Sequence, residues 1–270
     1  MAPSAQQAPL LNELAQVLRP AHLYSFAPRV MALPAALDTE HKFCMEADGF
    51  GLATLLLDIV AGYPERFIKL REHFCALYPQ FSEVRVERER GLKRLNQVEG
   101  LSNENIDAGY GIQLVAQGSR VIRARQASDG AILILGFLAL AYLPEAPGLL
   151  LIEEPENGIY PKRLEEVIRM LRQMFQGQEG SGAEESEPGK FPQIVFTTHS
   201  PFVVSFFEPK ELTLLWRDPR QPEAGVRARP LRDVPDLRER LAGGEFYLGE
   251  LWYNLSEEDA FGEFAAPDSH

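Results

Sequence analysis

Three features of the sequence predict an α/β fold. After Ser128 the apolar pattern alternates between helix and strand, two of those strands are apolar almost throughout, and the segments joining them are long enough to hold helices. The 270 residues, 45% apolar and 24% charged, suffice to bury a full core as one large domain or two small ones.

Leu10 to Leu18 places Leu11, Leu14, Val17 and Leu18 at helical spacing and stops before Pro20. His22 to Phe26 follows as a short strand. Helices are expected over Gly51 to Ala61 and Pro64 to Leu77. In the second, Phe67, Leu70, Phe74 and Leu77 share one face and Pro64 suits the first turn. From Phe81 to Arg125 the pattern becomes a meander of short strands, in which Val84 and Val86, then Ile112 and Leu114, alternate with polar neighbours.

The α/β part then runs as helix (Asp129 to Tyr142), strand (Leu149 to Glu153), helix (Pro161 to Phe175) and strand (Ile194 to Thr198). Gln176 to Lys190 is rich in Gly, Ser and Glu, cannot offset its ordering entropy by burial, and is expected to be a disordered insertion. Strands are expected over Leu212 to Trp216 and near Val226 to Leu231. A short helical tail with seven acids after Leu241 and no Lys or Arg reads as a solvated end. The segments group as 1–125, 126–232 and 233–270.

Charge and composition narrow the function. A net charge of −12 argues against holding nucleic acid by general electrostatics. Only local basic runs, Arg85-Arg88-Arg90-Lys93-Arg94 and Arg120-Arg123-Arg125, offer a patch, and a solvated strand face explains them more simply. With Cys44 and Cys75 as the only cysteines, neither a disulfide framework nor a cysteine zinc site can be built, which suits a reducing cytosol. The longest apolar run, Ala131 to Leu143, falls short of the ~20 residues that span a bilayer.

Three motifs carry chemistry. The strand Leu149 to Ile152 runs directly into Glu153-Glu154-Pro155-Glu156-Asn157-Gly158, at the sheet edge where open α/β sheets bind ligands. Ionised groups at the tip of so apolar a strand want a metal ion, phosphate-bound magnesium or water, although a strand simply reaching solvent would look the same. Because side chains alternate along a strand, Glu153 and Glu154 cannot do the same job. Phe196-Thr197-Thr198-His199-Ser200-Pro201 puts His199 beside a helix start, a position suited to a phosphate oxygen and equally to a structural histidine. Ser128-Asp129-Gly130 opens a helix apolar nearly all round, either as an anion site or as an ordinary cap.

Taken in this order, the motifs resemble the C-terminal part of an AAA-type (ABC-class) ATPase core, related to RecF and to the heads of structural-maintenance-of-chromosomes proteins. Ser128-Asp129-Gly130 resembles the signature motif, Leu149 to Glu154 the Walker B strand, Glu156-Asn157-Gly158 the D-loop, and Thr198-His199-Ser200 the switch histidine. The likeness is good from about Arg125 to Trp216 and looser on either side. It implies a P-loop NTPase-like sheet flanked by helices, with ATP and Mg2+ as cofactors and a cytoplasmic dimer as the assembly. It further implies that Glu153 orders magnesium through water and that Glu154 is the general base for in-line phosphoryl transfer. His199 would contact the γ-phosphate, while Ser128, Asp129, Gly130, Asn157 and Gly158 would serve the nucleotide across the dimer. Tyr160 and Ala131 depart from frequent family residues without removing a named catalytic group.

The Gly-x-x-x-x-Gly-Lys-Ser/Thr phosphate loop is absent. The only Gly-Lys pair, Gly189-Lys190, is followed by Phe191. The resemblance therefore implies an incomplete core that binds ATP poorly alone and leaves the strand before His199 with an unpaired, apolar flank. Three explanations stay open: a chain begun at an internal methionine, a split ATPase, or a degenerate subunit lending its signature motif to a complete partner. A catalytically silent interaction subunit, with its acidic surface docking a basic partner, is the alternative function. Some relatives carry a nuclease domain, but no Asp-x-Asp pair follows His199, so a nuclease or DNA partner would be separate.

Overall fold

A computed structural model describes residues 21–37, 42–94, 101–144, 147–176, 193–217, 223, 225–234, 237, 241 and 247–255. The helix expected over Leu10 to Leu18 and nearly all of the expected insertion lie outside them. The chain forms two compact units, Met1–Thr197 and Thr198–His270.

In the first unit, β1 (Ala21–Tyr24) leads to a one-turn α1 (Pro28–Met31), the two-residue β2 (Ala35–Ala36), α2 (Leu52–Gly62) and α3 (Pro64–Leu77). Pro64 sits at the start of α3, where its missing N–H is harmless, and Leu70 and Phe74 are buried as the spacing predicts. In place of the expected meander of short strands come a long antiparallel pair, β3 (Phe81–Arg94, 14 residues) and β4 (Leu101–Ala116, 16 residues), and a short β5 (Val121–Arg123); the alternation marked only parts of strands that continue through charged and polar residues. Val84 pairs with Leu114 and Val86 with Ile112, so the two alternating apolar sets meet on one face. The chain's own acids take up charge in the basic runs: Arg85 binds Glu83 at 2.6 Å and Arg125 binds Glu89 at 3.0 Å. β2 crosses this sheet at glycines, since a Cβ on Gly91 would stand 2.6 Å from the Ala36 nitrogen.

α4 (Asp129–Ala141) is buried without interruption from Ala131 to Leu140, as a helix apolar on every side must be. β6 (Leu149–Glu153), α5 (Pro161–Gln176) and β7 (Gln193–Thr197) complete the unit. β1, β6 and β7 form an all-parallel sheet in that order. Its register places Leu23, Leu151 and Val195 in one row and Tyr24, Ile152 and Phe196 in the next, on opposite faces.

In the second unit, α6 (Pro201–Val204) packs on α7 (Leu248–Asn254), and β8 (Thr213–Trp216) pairs antiparallel with β9 (Arg227–Pro230). Its core is Leu231, Val234, Leu237 and Leu251. Part of the stretch that the charge pattern marks as a solvated end is thus packed, because its leucines recur at spacings that a count of acids overlooks.

Candidate functional site

The C-terminal edge of the parallel sheet opens into a cleft of about 330 Å3 lined by Ser25, Phe26, Leu133, Phe137, Glu153, Glu154, Pro155, Asn157 and Thr197. Three strand ends and the face of α4 one to two turns from its start build it. The register pairs Glu153 with Thr197, and Ser25 follows the Tyr24–Ile152 pair, so Ser25, Glu153 and Thr197 form an oxygen-bearing row across the sheet. Phe26 and Phe137 form the apolar side, their ring centroids 5.2 Å apart.

Glu154 leaves the strand. Its φ of 42° lies in the left-handed region, one of only three such non-glycine residues among those described. Two partners hold it there: its N–H donates to the Thr197 carbonyl at 2.9 Å, and the Asn157 side-chain amide donates to Glu154 Oε2 at 2.5 Å. Backbone strain held by surrounding contacts is a recurrent mark of functional sites. Glu153 stays in the strand and is exposed, so the two carboxylates take different positions in one cleft, and the turn at Glu154 rather than strand alternation separates them.

The signature-like residues lie elsewhere in the unit, against the turn after Glu154. A Cβ on Gly130 would stand 2.7 Å from the Gly158 carbonyl oxygen, and Gly158 has φ +88°. Ser128 occupies the N-cap position of α4, and its carbonyl accepts the Ala131 N–H at 3.0 Å. Its hydroxyl makes no capping bond, so the ordinary-cap reading does not account for it. His199 belongs to the second unit and is exposed. The helix after it is a single turn, too short for the dipole argument that the sequence suggested.

Sequence reasoning missed Ser25, Phe26, Leu133 and Phe137 and gave Thr197 no role. Ser25 directly follows β1 at the same edge as Glu153, and that position was its available signal. Among the described residues no group of three or more His, Cys, Asp or Glu gathers as a metal cage. One carboxylate with flanking hydroxyls suits magnesium, which keeps its waters and leans on substrate phosphates. For the phosphates themselves the lining does not fit: it holds two carboxylates and no cationic side chain.

A parallel sheet with adjacent carboxylates at its C-terminal edge and helices packed beside it is a mixed α/β arrangement consistent with a P-loop NTPase-like domain. A family model described as "AAA domain, putative AbiEii toxin, Type IV TA system" matches residues 53–205, more than half of the chain, and the protein belongs to that family. No curated protein matches the chain. Membership places it among nucleotide-binding, ATPase-type domains. Among the described residues no helix is long and apolar enough to cross a membrane.

Proposed function

We propose that the chain is the Walker B and signature portion of an ABC-class, AAA-type ATPase that binds and hydrolyses ATP in the cytoplasm once a phosphate loop from outside these 270 residues completes the site. The observation that carries the reading is Glu154, held out of the strand in a left-handed conformation at the mouth of the cleft by Thr197 and Asn157. A carboxylate so placed serves as general base, taking a proton from the attacking water. Glu153, flanked by Ser25 and Thr197, would hold magnesium, which would supply neutralisation of phosphate charge. For His199 a γ-phosphate role rests on the motif resemblance alone. Ser128, Asp129 and Gly130 serve a nucleotide held by the opposing protomer of a dimer, a reading supported by the close approach of Asp129 and Gly130 to Gly158 of the D-loop-like turn.

Titration of Mg-ATP into the chain, alone and with a phosphate-loop polypeptide, tests this reading. Weak binding alone and binding with turnover in the mixture are expected. A silent mixture would favour the second reading, a regulatory subunit, which the cation-free lining of the cleft supports.

A further inference from the structure

Where the start of α4 meets the turn after Glu154, a third element closes on the same point. Tyr78 caps α3, its N–H donating to the Phe74 carbonyl at 2.9 Å, and its ring stacks on Phe74 with centroids 5.3 Å apart. The residue is 2% exposed. A Cβ on Gly130 would stand 3.3 Å from the Tyr78 hydroxyl oxygen as well as 2.7 Å from the Gly158 carbonyl oxygen, so the phenol tip and the turn both close on a residue with no side chain of its own to fix its place. Over the Tyr78 ring lies half-buried Arg163, its guanidinium carbon 4.1 Å from the centroid. Arg163 stands in the first turn of α5, where its N–H donates to the Tyr160 carbonyl at 2.9 Å. Burial pushes the Tyr78 hydroxyl up, and Arg163 pulls it back by its charge and by a hydrogen bond.

We propose that Arg163 is a positioning residue: stacked on Tyr78, it holds the segment Ser128 to Gly130 against the Gly158 turn. The contacts form a closed ring, from Gly158 to Gly130, from Gly130 to the Tyr78 hydroxyl, from the Tyr78 ring to Arg163, and from Arg163 back along the chain to Gly158. Such a ring fixes the start of α4 and the start of α5 relative to each other, and it opens where its one flexible link, the Arg163 side chain, is removed. A planar guanidinium suits the link because it lies flat on an aromatic face while its N–H groups still donate, which a lysine ammonium cannot reproduce. What the held segment does rests on the ATPase reading, whereas the holding itself rests on the geometry alone.

Backbone hydrogen exchange on the full chain reads the hold. The N–H groups of Ala131 and Ile132 both donate to the Ser128 carbonyl, at 3.0 and 3.3 Å, so their exchange reports opening of that turn. Arg163→Ala should speed both by about fivefold or more and leave the Leu138 amide, deeper in α4, within about twofold. Arg163→Lys, which keeps the charge and loses the planar stack, should recover only part of the protection. Tyr78→Phe, which keeps the ring and loses the hydroxyl, should speed the two amides less than Arg163→Ala does. Unchanged exchange at Ala131 and Ile132 in Arg163→Ala overturns the proposal, as does equal speeding throughout α4, and full protection in Arg163→Lys overturns the stack as its cause. The same variants are then mixed with a polypeptide comprising the strand, Gly-x-x-x-x-Gly-Lys-Ser turn and helix of a complete member of the same family. Arg163→Ala should lower turnover about tenfold with Mg-ATP binding within about twofold, the split expected of a group that shapes the site without holding the nucleotide. Undiminished turnover overturns the proposal and keeps the ATPase reading. A wild-type mixture without turnover, alongside faster exchange in Arg163→Ala, removes that reading and keeps the hold.

Discussion

Glu154, the base in the proposed reading, stores backbone strain at the end of β6. A non-glycine residue in the left-handed region costs about 1–2 kcal/mol, offset here by its contacts to Thr197 and Asn157. Glu154→Gly should therefore leave the unfolding free energy unchanged or raised by up to about 1 kcal/mol in urea denaturation while turnover is lost. Asn157→Ala removes the amide on the carboxylate. Turnover should fall about tenfold with stability within about 0.5 kcal/mol, read by kinetics and melting on the same sample. The run of Glu153-Glu154 after an apolar strand made both acids legible in the sequence. The Asn157 bond was not, because it exists only once Glu154 turns out of the strand. Tyr24 offers a pH test. Burial, with a smaller contribution from Cys44, pushes its hydroxyl up from 10.0 to about 12. A raised folded pKa favours the neutral form, so this stability is complete below about pH 10 and is lost as pH rises towards 12. Denaturation at pH 9 and 11.5 should show a loss of about 2 kcal/mol that Tyr24→Phe reduces.

Among the elements, the start of α4 and the turn after Glu154 are locked by glycines. A Cβ at Gly130 meets a backbone carbonyl 2.7 Å away, which cannot retreat as a side chain would. Gly130→Ala should cost about 1–3 kcal/mol, measured as a lower urea midpoint with unchanged slope. An unaltered midpoint would remove the link drawn between signature and D-loop. α3 was legible to the residue because Pro64 marks its start and Leu70 and Phe74 recur at its period. β6 was equally legible, an apolar run with a charged stop. β2 was not, since Ala35–Ala36 carries no pattern and is a strand only because glycine backbones elsewhere approach it. The single-turn α6 shows the converse, a proper Ser-Pro start without the apolar periodicity to continue it.

For the whole molecule, the C-terminal edge of the β1-β6-β7 sheet carries two carboxylates and the hydroxyls of Ser25 and Thr197 in one cleft, with no cationic side chain in its lining. Family membership and the alternation of helices and strands were both legible in the motifs. The strand order β1-β6-β7 was not, because a strand's neighbours leave no pattern in its own residues. The central claim is that Glu154 is the base of an ATPase site, and one measurement addresses it directly: Mg-ATP binding and steady-state hydrolysis by the chain with the phosphate-loop polypeptide, wild type against Glu154→Gln. The account predicts binding within about twofold and turnover lower by about 100-fold or more. Turnover unchanged by Glu154→Gln, or absent in the wild-type mixture despite binding, would contradict it.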